Sequence, residues 1–176
     1  MEWTIVTYKL PAEPSRHRVA VWRELRKVGA VALQQGTWGL PARRDFAEAL
    51  ARVVELVDAA GGEALVFEAA PQDEATAARL EQAFNADRED EWKEFLAECG
   101  KFDREIDKEI RTRKFTPAEL DEEDQNLERL RRWFRDLRRR DVFGTSSQQT
   151  AEQRLKECEV RLEDFANRVY SHGGEM

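Results

Sequence analysis

Hydrophobic positions change their period about 70 residues into the chain. In "WTIVTYKL", residues 3–10, β-favouring side chains predict a short strand. "PSRHRVAVWRELRKVGA" then sets Val21, Trp22, Leu25 and Val28 at helical spacing, with Ser15 as the expected cap and Gly29 as the stop. "AVALQQGTWGLP" reads as two short strands joined around Gln35 and Gly36, the second ended by Pro41. "ARRDFAEALARVVELVDAAGG" predicts a helix with Phe46, Leu50, Val53, Val54 and Val57 on one side, stopped by Gly61 and Gly62, and "EALVFEA" a last strand. The order β-α-β-β-α-β is that of a ferredoxin-like sandwich, an antiparallel sheet with both helices on one face.

Beyond Pro71 the alternation of strands disappears and helical spacing takes over. Residues 73–112 carry a seam of Leu80, Phe84, Trp92, Phe95, Cys99, Phe102, Ile106 and Ile110. "TPAEL" restarts a helix, with Thr116 as cap, Pro117 in the first helical position and Glu119 closing a capping box. Its seam is Leu120, Leu127, Leu130, Phe134 and Leu137. A third helix, from about Ser147 to Tyr170, spaces Leu155, Cys158, Leu162, Phe165 and Val169 by threes and fours. The expected architecture is therefore α+β: a ferredoxin-like domain over residues 1–70, then an antiparallel helical hairpin or three-helix bundle over 71–176.

Composition narrows the class. Of 176 residues, 41% are hydrophobic and 37% charged, which suits a helix-rich globular protein with long solvated faces. No run approaches the ~20 apolar residues of a membrane span, and Met1 leads straight into the first strand without a leader, so the expected location is the cytoplasm. Cys99 and Cys158, with His17 and His172, offer no metal-ligand spacing, and reduced, buried thiols are expected. "GTWG" lacks the spacing of a dinucleotide loop, and no flavin or nicotinamide fingerprint occurs.

Charge is distributed unevenly around a net of −7: residues 129–140 hold seven arginines against a single aspartate, while the residues ahead of them are strongly acidic. Arg131, Arg135 and Arg138 share one side of the predicted helix that Thr116 begins, and Arg132, Arg135 and Arg139 an adjacent side, opposite its seam. Such a face suits phosphates. A structural role competes with it: acids at the start of that helix and bases at its end complement the helix dipole, and "DREDEWKEF", residues 87–95, offers acids for pairing across the bundle. Seven guanidinium groups exceed that need, which predicts a remainder available to a partner. Trp133 is the one aromatic expected to flank the patch.

A second candidate lies in "YKLPAEPSRHRVAVW". Lys9, Ser15, Arg16 and Arg18, with His17, gather where the first helix begins, and cations beside unpaired amides suit a tetrahedral oxyanion. An ordinary capped helix with surface bases is the alternative.

The same segment resembles the opening of the N-terminal domain of ChrB, the chromate-resistance regulator family, at Lys9, Pro11, Pro14, Ser15, Arg18, Trp22, Arg23, Leu25, Gly29 and Ala30, and then at Gly36, Leu40 and Pro41. "NADREDEW", "LERLRRWF" and "RRRDVFG" resemble the family's helical part, so the likeness runs from about Trp3 to Tyr170. ChrB proteins usually continue into a second, C-terminal domain, and with its last residue at Met176 this chain resembles a short relative lacking it. The resemblance implies a cytoplasmic, non-enzymatic transcriptional regulator that changes its grip on DNA when chromate is present. On that reading Arg131, Arg132, Arg135, Arg138 and Arg139 meet DNA, Lys9, Ser15, Arg16 and Arg18 hold chromate or another oxyanion, and a homodimer pairs two basic patches. The alternatives are a module that docks an acidic protein partner through the arginine face and, last, a chromate-reducing enzyme.

Overall fold

In the computed structural model, which describes residues 1–173, the chain runs β1 (Trp3–Lys9), α1 (Ser15–Val28), β2 (Val31–Gln34), β3 (Thr37–Pro41), α2 (Arg44–Ala59), β4 (Glu63–Ala69), α3 (Glu74–Thr112), α4 (Pro117–Arg140) and α5 (Ser146–Gly173). The fold class is α+β, as the change of period predicts. Two compact units divide between Asp87 and Arg88, inside α3. The first turns of α3 belong with the sheet: Phe84 packs edge-on to Trp3 with ring centroids 6.0 Å apart, and Asp87 receives a 3.0 Å bond from Arg26.

The first unit is an antiparallel sheet ordered β2-β3-β1-β4. Alternation sorts its side chains. Thr4 and Val6 stand opposite Leu40 and Trp38, all buried, on the face that α2 borders through Leu50 and Val54. Ile5 and Thr7, opposite Phe67 and Leu65, point the other way. α1 and α2 pack together and bury Val21, Leu25 and Val28 with Phe46, Leu50, Val53 and Val57. Trp22 departs from expectation. It is 51% exposed, because the buried stripe of α1 follows Val21 in steps of four and three and leaves the next residue about 100° around the helix.

Ser15 is not the cap of α1. Pro14, with φ −79° and ψ 147°, occupies that position without a side-chain hydrogen bond, and Ser15 is already helical. At the other end Gly29 ends α1 in the left-handed region, φ 93°, returning its amide to Arg26 and Leu25. The β2–β3 turn likewise requires Gly36: its φ is 71°, and a Cβ there would stand 2.7 Å from the carbonyl oxygen of Tyr8.

The second unit buries one continuous core. Trp92, Phe95, Cys99, Phe102 and Ile106 from α3 meet Leu127, Leu130, Phe134 and Leu137 from α4 and Leu155, Cys158, Leu162, Phe165 and Val169 from α5. Most of the three seams read from spacing are here; Ile110 and Leu120 are only partly buried at the core's edge, and Leu80 and Phe84 fall in the first unit. Each such large side chain removed from water contributes about 1.5–3 kcal/mol, enough for the seam to fix which face of α4 turns outward. Thr116 caps α4 as expected, its hydroxyl accepting from the Glu119 amide at 3.3 Å. The Glu119 carboxylate lies 3.5 Å from Lys114 rather than closing the capping box. Both cysteines are free and buried, with the Cys158 thiol 3.9 Å from the Cys99 carbonyl. Hydrogen bonding to Cys99 and burial push the Cys158 thiol up, so it stays protonated.

Candidate nucleic-acid interface

With Leu127, Leu130, Phe134 and Leu137 buried, the helical repeat leaves Arg132, Arg135, Arg138 and Arg139 exposed on the outer side of α4. Among the described residues no carboxylate lies within salt-bridge distance of these four side chains. Two members of the run are engaged elsewhere. Arg131 bonds Glu159 on α5 at 2.8 Å and also Glu128, and these partners hold its guanidinium more firmly protonated still. Arg140 lies 3.4 Å from Glu91, which also pairs with buried Arg88 at 2.9 Å. Arg131 is therefore committed to the bundle, unlike the other four residues proposed from the sequence. Trp133 is half-buried against Phe95, with centroids 5.5 Å apart, and does not flank the patch as a stacking platform.

A buried polar cluster fixes the end of α4 that carries the patch. Asp141, the C-cap residue, returns its amide to Leu137 at 2.9 Å. Its carboxylate accepts from the Trp92 indole at 2.8 Å, the Gly144 and Thr145 amides at 3.1 and 3.0 Å, and the Thr145 hydroxyl at 2.7 Å. Asp141 thus ties α3, the end of α4 and the start of α5 together. Glu89 adds a second carboxylate at the start of α5, accepting from the Ser146 hydroxyl at 3.1 Å and from the Ser147 hydroxyl and amide; the Ser147 hydroxyl in particular holds Glu89 below the usual carboxylate range. Of the acids in residues 87–95, Glu91 reaches the arginine run, through its ion pair with Arg140.

The cluster was missed at the level of sequence because its members lie 49 residues apart. A usable local signal does exist: "DVFGTSS" sets an aspartate ahead of Gly-Thr-Ser-Ser and a helix start, the pattern of a side chain that accepts from successive amides.

The second candidate has a different character. Lys9, Ser15, Arg16 and Arg18 are all exposed, and the N-terminus of α1 has no side-chain cap. Lys9 stands opposite Glu63 across the β1–β4 ladder, an acid that offsets its charge. The structure brings Ser15, Arg16 and Arg18 onto one helical turn.

The sequence from Arg18 to Met176 matches the model of the family described as Protein ChrB, N-terminal. The chain belongs to that family. It is thereby related to chromate-resistance regulators, a regulator-type rather than an enzyme family. The match begins at Arg18, so Lys9, Ser15 and Arg16 precede it, while the whole arginine run lies inside it. A comparison with curated proteins returns no match. No helix among the described residues is long and apolar enough to cross a membrane.

Proposed function

We propose that the chain is a cytoplasmic, DNA-binding regulator of chromate-resistance genes that grips the phosphate backbone through Arg132, Arg135, Arg138 and Arg139. The observation that carries this reading is the exposure of these four guanidinium groups, without carboxylate partners among the described residues, beside two neighbours that the fold has paired. Four phosphate contacts on one protomer give a salt slope of about −3.6 in log–log form, from roughly −0.9 per contact. The acidic surroundings weaken a single patch, and a dimer presenting two patches restores affinity.

The same reading gives the anion a place. The α1 N-terminus without a side-chain cap, the positive charge of Arg16 and Arg18 beside Ser15, and Lys9 earlier in the chain support a tetrahedral oxyanion such as chromate as the ligand. The anion acts as a regulator if it binds the DNA-bound and DNA-free forms with different affinity.

A mobility-shift titration against the protein's own promoter tests both parts. Affinity should fall steeply with salt, fall about 10- to 100-fold in the Arg135→Glu, Arg138→Glu double variant, and respond to added chromate in the wild type but not in an Arg16→Gln, Arg18→Gln variant. Salt-insensitive binding, or binding indifferent to the α4 reversals, overturns the DNA reading. A captured partner that survives nuclease treatment would instead indicate an acidic protein docked on the same arginines.

A further inference from the structure

The sheet of the first unit has two edges, and they are built differently. β2 is 4 residues long, and its pairing with β3 shifts register between Ala32 and Gln34. A short, irregular edge resists the addition of another strand. β4 is 7 residues long, pairs with β1 along its whole length without a bulge, and among the described residues has no strand on its other side. Its middle is apolar and uncovered, with Leu65 58%, Val66 43% and Phe67 48% exposed. No lysine or proline interrupts it; its charges are Glu63 and Glu68. Such an edge offers a free row of amides and carbonyls to a further strand.

We propose that β4 pairs antiparallel with β4 of a second copy of this chain, joining two sheets into one across a two-fold axis. The strand's own sequence argues for that occupant. Side chains alternate across a sheet, so residues directly opposite must point to the same face. Around a two-fold axis normal to the sheet, that condition restricts opposed pairs to residue numbers whose sum is even. Glu63 and Glu68 sum to an odd number and therefore never stand directly opposite each other.

The register centred on Val66 engages the entire strand. Val66 meets its own copy, Leu65 faces Phe67, Ala64 faces Glu68, and Glu63 faces Ala69. The apolar residues cover one another, and each glutamate is set against an alanine. On the helix side, Val66 borders a recess walled by Leu50, Ala51 and Val54 of α2, where the Val66 of the second copy finds apolar surroundings. No arginine of α4 takes part, so this pairing stands or falls apart from the DNA reading.

Sedimentation velocity on the full chain, without nucleic acid, tests the proposal. The expected species over roughly 1–100 μM is twice the 20.5 kDa chain mass. Phe67→Lys and Leu65→Lys should convert it to monomer while leaving circular dichroism unchanged, since both side chains are already exposed, and should remove the dependence of the thermal midpoint on protein concentration that a dimer imposes. Arg135→Glu with Arg138→Glu should leave it dimeric. Opposed strand residues lie about 4.5–5.5 Å apart at Cα, within disulfide reach. A Val66→Cys variant treated with diamide should therefore run as a cross-linked dimer on a non-reducing gel, and a Leu65→Cys variant should not. A monomer throughout, or a dimer indifferent to Phe67→Lys, overturns the interface; a dimer lost with Phe67→Lys but not cross-linked in Val66→Cys overturns the register.

Discussion

Arg139 and Asp141 are two residues apart in the chain and live in opposite regimes. Arg139 is exposed and, among the described residues, has no carboxylate within salt-bridge distance. Asp141 is 6% exposed and accepts from an indole, two amides and a hydroxyl. Packing against neighbouring helices, not position in the chain, separates charge that holds the fold from charge left exposed. Arg131 and Arg140 fall on the first side, drawn inward by Glu159 and Glu91. Arg132, Arg135 and Arg138 fall on the second. Counting arginines therefore overstates the patch, while calling the whole run a dipole complement understates it.

The largest effect that tests this division is on folding. Asp141→Ala strands the buried Trp92 donor and the Gly144 and Thr145 amides ahead of α5, and should lower the unfolding free energy by about 2–4 kcal/mol in urea titration. Arg139→Ala should change it by no more than about 0.5 kcal/mol. Equal costs for the two would break the comparison. Next comes Arg131→Met, which should cost about 1 kcal/mol or less, because its ion pairs are one-third or more exposed. That variant should bind promoter DNA like the wild type, in contrast to the α4 double reversal.

A small effect of opposite sign sharpens the inner side of the comparison. Glu123 is buried, and burial, reinforced by Glu122, Glu105 and Glu109, raises its carboxyl above the ordinary glutamate range against the opposing bond from Asn126. The folded state then holds this proton more tightly than the unfolded state does. Its contribution to stability is lost as pH rises from the ordinary value through the folded one. Glu123→Gln should stabilise the protein at neutral pH by about 0.5–1 kcal/mol and flatten its stability between the ordinary glutamate value and neutrality. A variant less stable than wild type at pH 7 would show that the charged form is favoured instead.

Periodicity made the skeleton readable. The seam residues from Trp92 to Val169 that form the bundle core were marked by threes and fours, and Gly29, Gly36 and Thr116 marked a helix end, a hairpin turn and a cap. Those signals are local, so one stretch of sequence carries each of them. The pairing of charges was not readable in the same way. Nothing near Arg131 indicates that Glu159, 28 positions away, comes within 2.8 Å. Trp22 and Ser15 were misassigned for a related reason: spacing identifies a helix, but the angular width of its buried stripe and its first residue depend on what packs there and on the backbone of Pro14.

The sorting of α4 into an acidic beginning and a basic end has a kinetic consequence. Over its 24 residues, about 36 Å at 1.5 Å per residue, the outer surface passes from Asp121, Glu122 and Asp124 to Arg138 and Arg139. A polyanion drifting toward the bundle is pushed away at one end and pulled in at the other, so it experiences a torque before it touches anything. First encounters are thereby sorted by direction. On the DNA-binding reading, a duplex arriving the wrong way round would be turned or released rather than captured out of alignment.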